Sequence, residues 1–259
     1  IRRKALYATW HEVWGWRYWR QYAGRIIGTA AYLVERFSVR LPDHIVAVSA
    51  QTASKLRSEL QYQGPLSLVN NGIDRHHITT VKASNRQSDV IFAGRLLPHK
   101  HVDILLAAIA EVRQRRPDIR CTIIGDGPDM VRLKRQARQL GIAARIRFEG
   151  FMEQPDDVLA AMKASKVFVL PSSREGFGIA LLEAYACGLR VVTVNAPDNA
   201  ARHLVSSAAG AVCELNARAL AAAIEEQLNL PVPSEHAASA AADYDWQHSA
   251  EQLSEVYAI

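Results

Sequence analysis

From Asp89 onward the chain alternates between short apolar runs and longer stretches with the spacing of helices. The runs are Val90-Ile91-Phe92-Ala93, Cys121-Thr122-Ile123-Ile124, Ile146-Arg147-Phe148, Val167-Phe168-Val169-Leu170 and Val191-Val192-Thr193-Val194. They recur about every 25–30 residues, as strand–helix–strand units require. Several lack polar alternation, so their strands are expected to have helices on both faces. The pattern predicts a doubly wound parallel α/β sheet. Helices are expected over 101–116, stopped by Pro117, and from Pro128 to Gly141. A third runs through Glu183 to Gly188, where glycine suits the position just past a helix end.

Before Asp89 the pattern is shorter. Strands are expected over 5–10, 45–49 and 66–69, with helices over 18–37 and 51–61. Three strands make half a domain, with an exposed sheet edge. The polar stretch Ser84-Asn85-Arg86-Gln87-Ser88 reads as a linker. After Pro231-Val232-Pro233-Ser234 and an alanine-rich stretch, Asp243-Tyr244-Asp245-Trp246 leads into a last helix ending near Tyr257. The expected division is 1–83 as a first domain, 84–242 as a second, and 243–259 as a helix returning to the first. Ile1 stands where a start Met is expected, so the chain reads as a piece of something longer.

Composition narrows the class. With 259 residues, 49% hydrophobic and 22% charged, the chain has the profile of a soluble globular protein. No apolar run reaches the ~18 residues that span a bilayer, and a cytoplasmic location is expected. Cys121, Cys187 and Cys213 show no CxxC spacing and read as buried thiols. The net charge of +5 is uneven. Residues 1–40 carry eight Lys/Arg against two Glu, or +6, and the rest carries 23 basic against 24 acidic groups. The same stretch holds Trp10, Trp14, Trp16 and Trp19. It has two readings: an interfacial anchor that makes peripheral contact with a membrane, or a core helix with tryptophans inward and arginines solvated.

The densest chemistry lies at Pro171-Ser172-Ser173-Arg174-Glu175-Gly176-Phe177-Gly178, with a second carboxylate at Glu183. A strand, a glycine-bearing loop and a helix N-terminus bring backbone N–H groups and the positive helix end to one place, which favours an anion. The glutamates add acceptors for sugar hydroxyls. Gly94-Arg95 and Lys100 leave another strand at the carboxyl edge of the sheet, and an Arg fork with a Lys point charge suits a diphosphate. Glu183 sits among Leu181, Leu182, Ala184 and Ala186, where an unpaired carboxylate is costly. Asn199 reads as a helix cap.

Five segments in order carry a resemblance: Asn71-Gly72-Ile73-Asp74; Phe92 to Lys100; Ile124-Gly125-Asp126-Gly127-Pro128; Phe148-Glu149-Gly150-Phe151; and Pro171 to Gly188. Together they resemble the retaining glycosyltransferases of the GT-B fold, in the family four group. The resemblance implies two Rossmann-like domains, the first incomplete here. It implies transfer of a hexosyl unit from a nucleoside diphosphate sugar to an acceptor hydroxyl with retention of configuration. Arg95 and Lys100 would hold the diphosphate. Glu175 would lie beside the donor sugar, with the amides of Gly176, Phe177 and Gly178 near its hydroxyls and phosphate. Glu183 would accept from the ribose.

His11, followed by Glu12, resembles the family's cleft histidine near the donor sugar; a structural histidine among tryptophans is the other reading. Gly94 belongs to the diphosphate loop. Gly125 lies either near the nucleotide base or in loop packing. The resemblance implies no metal and no cofactor. The donor is a UDP- or GDP-sugar, with UDP-glucose, UDP-N-acetylglucosamine and GDP-mannose all compatible. The acceptor is a glycan, lipid or small molecule, and no nucleic acid is expected. Other readings are a non-catalytic nucleotide-sugar-binding module, an epimerase or phosphorylase on the same fold, and, more remotely, a basic nucleic-acid-binding protein.

Overall fold

The computed structural model describes residues 4–231, 237 and 239–258. It divides into two compact units, one holding residues up to 72 and from 247, the other residues 73–246. The expected connector lies, apart from Pro231, outside the described residues.

The first unit has a three-stranded parallel sheet in the order β1 (Tyr7–Trp10), β2 (His44–Ala47), β3 (Leu66–Leu68). Helices α1 (Gly15–Ala23) and α2 (Arg25–Ser38) follow β1, and α3 (Ala50–Ser58) follows β2. The sequence pattern had one helix over 18–37. The chain breaks at Gly24 instead, whose φ of 79° and ψ of 177° no helix accommodates. The break lets α2 fold back on α1, where Gly28 lies so close that an added Cβ would sit 2.3 Å from the Trp19 carbonyl oxygen. Val13, Val39, Ile45, Leu56 and Leu60 form the core on one side. On the other, Val46 and Val69 pack against Val256.

The second unit carries a six-stranded sheet, every neighbouring pair parallel. Helix α4 (Arg75–Thr80) precedes it. Its strands are β4 (Val90–Ala93), β5 (Cys121–Ile124), β6 (Ile146–Gly150), β7 (Val167–Leu170), β9 (Arg190–Val194) and β11 (Gly210–Cys213). Helices α5 (Val102–Arg115), α6 (Met130–Gln139), α7 (Pro155–Lys163), α8 (Ile179–Ala186) and α9 (Ala217–Asn229) connect or follow them. Every residue of β4, β5, β7 and β9 is buried, as continuous apolar strands covered on both faces should be. The spatial order is β6-β5-β4-β7-β9-β11. The chain builds outward from β4 through β5 to β6, then returns to the other side of β4 with β7. The strand order thus reverses between β4 and β7, and doubly wound sheets take their ligands at the carboxyl ends of the strands at such a reversal. A two-residue pair, β8 (Arg174–Glu175) with β10 (Asp198–Asn199), stands beyond the end of β7.

The domain boundary differs from the sequence reading. Residues 73–83 belong to the second unit, so the polar stretch at 84–88 lies within it. Ile73 pairs with Asp245, donating to the Tyr244 carbonyl and accepting from the Trp246 amide. Lys163 Nζ donates to the carbonyls of Thr79 and Val81 at 3.2 and 2.6 Å. These ties to the backbone of 73–81 outweigh a polar composition. The last helix, α10 (Trp246–Tyr257), lies for almost all its length in the first unit. There Ser249 Oγ donates to the Asn70 carbonyl and the Tyr257 ring meets Tyr7 edge-on at 4.9 Å.

Candidate active site

Of the cationic and acidic residues of the second unit singled out in the sequence, the structure joins Lys100 and Glu175, while Arg95 stands on the loop that leads to Lys100 and Glu183 lies on α8. Gly94 and Arg95 leave the carboxyl end of β4. The loop is stitched to its neighbour: Gly94 N donates to the Ile124 carbonyl at 3.0 Å and Leu96 N to the Asp126 carbonyl at 2.9 Å. Gly125 lies against this loop. At its φ of 121°, an added Cβ would fall 2.0 Å from the Gly94 carbonyl oxygen. Of the two readings of Gly125, loop packing therefore has a direct physical basis. Gly127 is similar, with an added Cβ 2.4 Å from the Leu96 carbonyl oxygen. The two glycines let the β5 loop support the loop that carries Arg95. The Arg95 side chain is exposed and has no side-chain partner among the described residues.

Lys100 closes a short 3-10 turn (Pro98–Lys100). Its Nζ donates to Glu175 Oε1 at 2.6 Å, with 17% and 14% of the two side chains exposed. The contact joins loops 75 residues apart in sequence. A second tie runs beside it. Ser173 N donates to the His99 carbonyl at 2.9 Å, and His101 Nε2 lies 2.9 Å from Ser173 Oγ. His101 holds a left-handed conformation, φ 48° and ψ 39°, between the 3-10 turn and α5. Burial, reinforced by the adjacent Lys100 charge and partly opposed by Glu175, lowers the His99 pKa to about 4. His99 is therefore a neutral imidazole at pH 7 beside a charged pair.

Glu175 is fixed from its other side by Asn199, its partner in the β8–β10 register. Asn199 is fully buried. Its Nδ2 donates to Thr193 Oγ1 at 3.0 Å and to the Val194 carbonyl at 2.8 Å, while Oδ1 accepts from Ala201 N at 3.2 Å. It caps a turn, as its position in the sequence predicts, and also anchors the strand pair that carries Glu175. Thr193 Oγ1 in turn donates to the Leu170 carbonyl at the end of β7.

The Gly176-Phe177-Gly178 turn leads into α8. Phe177 is buried, its ring 5.9 Å from that of Tyr244, so its backbone rather than its side chain is available to a ligand. Gly178, at φ 114°, packs on the turn that Asn199 caps: an added Cβ would lie 2.6 Å from Ala201 Cβ. Just over one turn of helix further on, Glu183 is half-buried and makes no side-chain hydrogen bond among the described residues. Burial alone raises its pKa. A carboxylate placed at this cost, without a partner, has capacity to accept hydrogen bonds from a ligand.

His11 lies in the first unit, exposed just after β1. It lines a cavity of about 710 Å³ with Trp10, Glu12, Trp14, Trp19 and Glu35 among its other walls. Glu35 organises this wall by accepting from Trp14 N at 2.8 Å, Gly15 N at 2.9 Å and Trp19 Nε1 at 2.9 Å. The tryptophans mostly turn inward. Trp10 packs on the core, and Trp14 meets Trp19 and Tyr18 at ring separations of 4.4 and 4.6 Å. Trp16 is more exposed, with the Arg20 guanidinium 4.7 Å over its ring.

His99, Ser173 and Asn199 escaped the sequence reading as positioning groups. Only Asn199 carried a signal, as a cap. The cysteines are free; burial lifts Cys121 and Cys187 to about 12 and Cys213 to about 11, which leaves inert thiols. No group of three or more His, Cys, Asp or Glu among the described residues is arranged to hold a metal ion.

A parallel sheet of this order belongs to the α/β architecture of GT-B proteins. The family described as "Glycosyl transferases group 1" matches residues 75–244, and "Glycosyltransferase Family 4" matches residues 1–77. The chain belongs to the group 1 glycosyltransferases. It is 30% identical over 236 residues to a glycogen synthase of Mycobacterium tuberculosis, which covers 87% of this chain and 56% of that protein. It is 30% identical over 254 residues to D-inositol 3-phosphate glycosyltransferase 2 of Catenulispora acidiphila, covering 88% and 59%. The chain thus spans a little over half the length of these relatives. Among solved structures, Anabaena Alr3699/HepE in complex with UDP and glucose superposes with a TM-score of 0.78 at 23% identity, over 98% of this chain and 72% of that one.

Proposed function

We propose that this chain carries the donor half of a glycosyl transfer: a hexosyl unit moves from a nucleoside diphosphate sugar to an acceptor hydroxyl, with retention and without a metal. The observation that carries this reading is the Lys100–Glu175 pair beside Arg95 at the carboxyl ends of β4 and β7. In the reaction, the bond from the anomeric carbon to the leaving phosphate oxygen breaks. The acceptor oxygen bonds to that carbon on the same face, and its proton passes to the departing phosphate oxygen. The developing charge lies on the diphosphate. Arg95 offers a planar fork and Lys100 a point charge to neutralise it. Glu175 holds the Lys100 ammonium in place and presents its second oxygen to sugar hydroxyls. Glu183 accepts from the ribose. The amides of Gly176 to Gly178 meet the phosphate and sugar at the start of α8. His11 enters only through the family resemblance, as a group near the donor sugar.

The relatives' names support a sugar-transfer chemistry, and the Anabaena structure was solved with UDP and glucose. The test is incubation with UDP-glucose, UDP-N-acetylglucosamine and GDP-mannose, following release of the nucleoside diphosphate and the anomeric configuration of the product. Retained configuration and loss of turnover in Lys100→Met support the reading. An inverted product, or turnover that needs added divalent metal, overturns it.

A further inference from the structure

One backbone position beside Lys100 is strained. His101 adopts φ 48° and ψ 39°, between the 3-10 turn that ends at Lys100 and α5. A side chain there brings its Cβ close to the following carbonyl oxygen, and glycine adopts the same conformation without that cost. Strain of this kind persists only where the surroundings hold it, and it collects at functional sites. Among the described residues, Gln61 is the one other non-glycine residue with a positive φ. Gln61 turns its amide to the Ser58 carbonyl, three residues back in its own turn. His101 instead reaches 72 residues along the chain, where its Nε2 lies 2.9 Å from Ser173 Oγ.

Ser173 stands just before Arg174 and Glu175, on the loop that leaves β7. His99, Lys100 and His101 each tie that loop down. The His99 carbonyl accepts from Ser173 N at 2.9 Å and from Ser173 Oγ at 3.3 Å, and Lys100 Nζ donates to Glu175 Oε1 at 2.6 Å. These ties respond differently to an anionic ligand. A bound diphosphate draws the Lys100 ammonium away from Glu175, so the charged tie slackens as the ligand is engaged. The His101–Ser173 tie has no charge to exchange. Burial lowers the His101 pKa against the opposing charge of Asp103, and Arg132 adds to the lowering, so the imidazole is neutral at pH 7.

We propose that His101 is a positioning residue of the donor site: its imidazole holds Ser173, and through it the Glu175 strand, in register with the Lys100 turn while Lys100 engages a nucleoside diphosphate. The role presupposes that Lys100 holds the diphosphate. His101 does not touch the ligand; it acts through Ser173. A strained histidine then stands where glycine would be relaxed because its side chain spans the two loops.

The test is calorimetric titration of the whole chain with UDP and with GDP, on wild type, His101→Gly, His101→Gln, Ser173→Ala and the combination of His101→Gly with Ser173→Ala. The glycine variant removes the imidazole and relaxes the backbone. The glutamine variant keeps a hydrogen-bonding atom at similar reach, and Gln61 adopts the same backbone conformation. For the nucleotide that wild type binds, His101→Gly and Ser173→Ala should each weaken binding about three- to tenfold, the worth of one hydrogen bond. The combination should bind no more weakly than the weaker single variant, because both changes remove the same bond. His101→Gln should bind within about twofold of wild type. The unfolding midpoint of ligand-free His101→Gly should stay within about 3 °C of wild type, because relief of strain offsets the lost bond. Wild-type affinity in His101→Gly overturns the role and leaves the diphosphate reading standing. Additive losses in the combination, or a glutamine variant as weak as the glycine one, also overturn it. So does a midpoint that falls further than this along with affinity, which would make the histidine structural. Binding of neither nucleotide to the folded wild type removes the diphosphate reading, and this role with it.

Discussion

Replacing Glu183 with glutamine should pull stability and binding in opposite directions. The Glu183 carboxyl is half-buried on α8 between Leu182 and Ala184, both fully buried. It has no side-chain hydrogen bond among the described residues, and burial raises its pKa. The ionised form at pH 7 therefore opposes folding. Removing the charge at constant size should stabilise the ligand-free protein by about 1 kcal/mol, because a buried charge without a partner costs more than a buried amide. For a unit of this size that is about 2–4 °C in the unfolding midpoint. The sign follows from proton linkage. A carboxyl with a raised folded pKa binds more protons folded than unfolded, so wild-type stability should recover as pH falls through the folded pKa. The stabilising effect of Glu183→Gln should shrink over that range. With ligand the order reverses: a charged acceptor on the ribose is worth about 1.5–3 kcal/mol, so the variant should bind its nucleotide roughly 10- to 100-fold more weakly. Thermal unfolding from pH 4 to 8 and calorimetric titration of the same variant read both effects. A glutamine variant that is less stable and binds nucleotide as wild type does would refute the assignment.

Three further outcomes follow from the same geometry. A double-mutant cycle on Lys100→Met and Glu175→Gln should give a coupling of about 1–3 kcal/mol in thermal unfolding, because each single change strands a partly buried partner; additive effects would mean the 2.6 Å contact is energetically idle. Gly125→Ala should cost about 3 kcal/mol from left-handed strain and the Gly94 contact, and should also weaken nucleotide binding by moving the Arg95 loop; normal binding in the folded variant would uncouple the two loops. His99, with its pKa lowered to about 4, binds fewer protons folded than unfolded below pH 6.5, so stability should fall as pH drops from about 6.5 towards 4; His99→Gln should flatten that slope, and an NMR titration placing the imidazole near its ordinary value would contradict it.

The second unit was largely legible because its strands are buried on both faces. A run such as Val167-Phe168-Val169-Leu170 has few other ways to be satisfied. The elements that escaped lack that signature. Strand β11 is Gly-Ala-Val-Cys, short and small, and takes its place by pairing with β9. Helix α4, Arg-His-His-Ile-Thr-Thr, offers one apolar residue and owes its start to Asp74, whose side chain accepts from His77 N. The break at Gly24 was visible as a glycine, but the apolar period continued across it. The domain boundary went astray because composition stood in for backbone pairing: Ile73 with Asp245 is a contact between distant residues.

The candidate site divides in the same way. Arg95, Lys100, Glu175 and Glu183 could be named from chemistry and spacing. Their arrangement could not, since the Lys100–Glu175 contact and the Asn199 anchor depend on strand order at the reversal. Gly125 and Gly178 look alike in sequence to glycines that admit a ligand. The structure gives each a protein neighbour that leaves no room for a Cβ.

The central claim is that a nucleoside diphosphate sits on Arg95 and Lys100 where the sheet order reverses. Calorimetric titration of the chain with UDP and with GDP, repeated on Arg95→Ala with Lys100→Met, tests it most directly. The account predicts that one of the two nucleotides binds the wild type and that the double variant, still folded, loses that binding by tenfold or more. Binding of neither nucleotide to the folded chain, or binding that the double variant leaves intact, would contradict it.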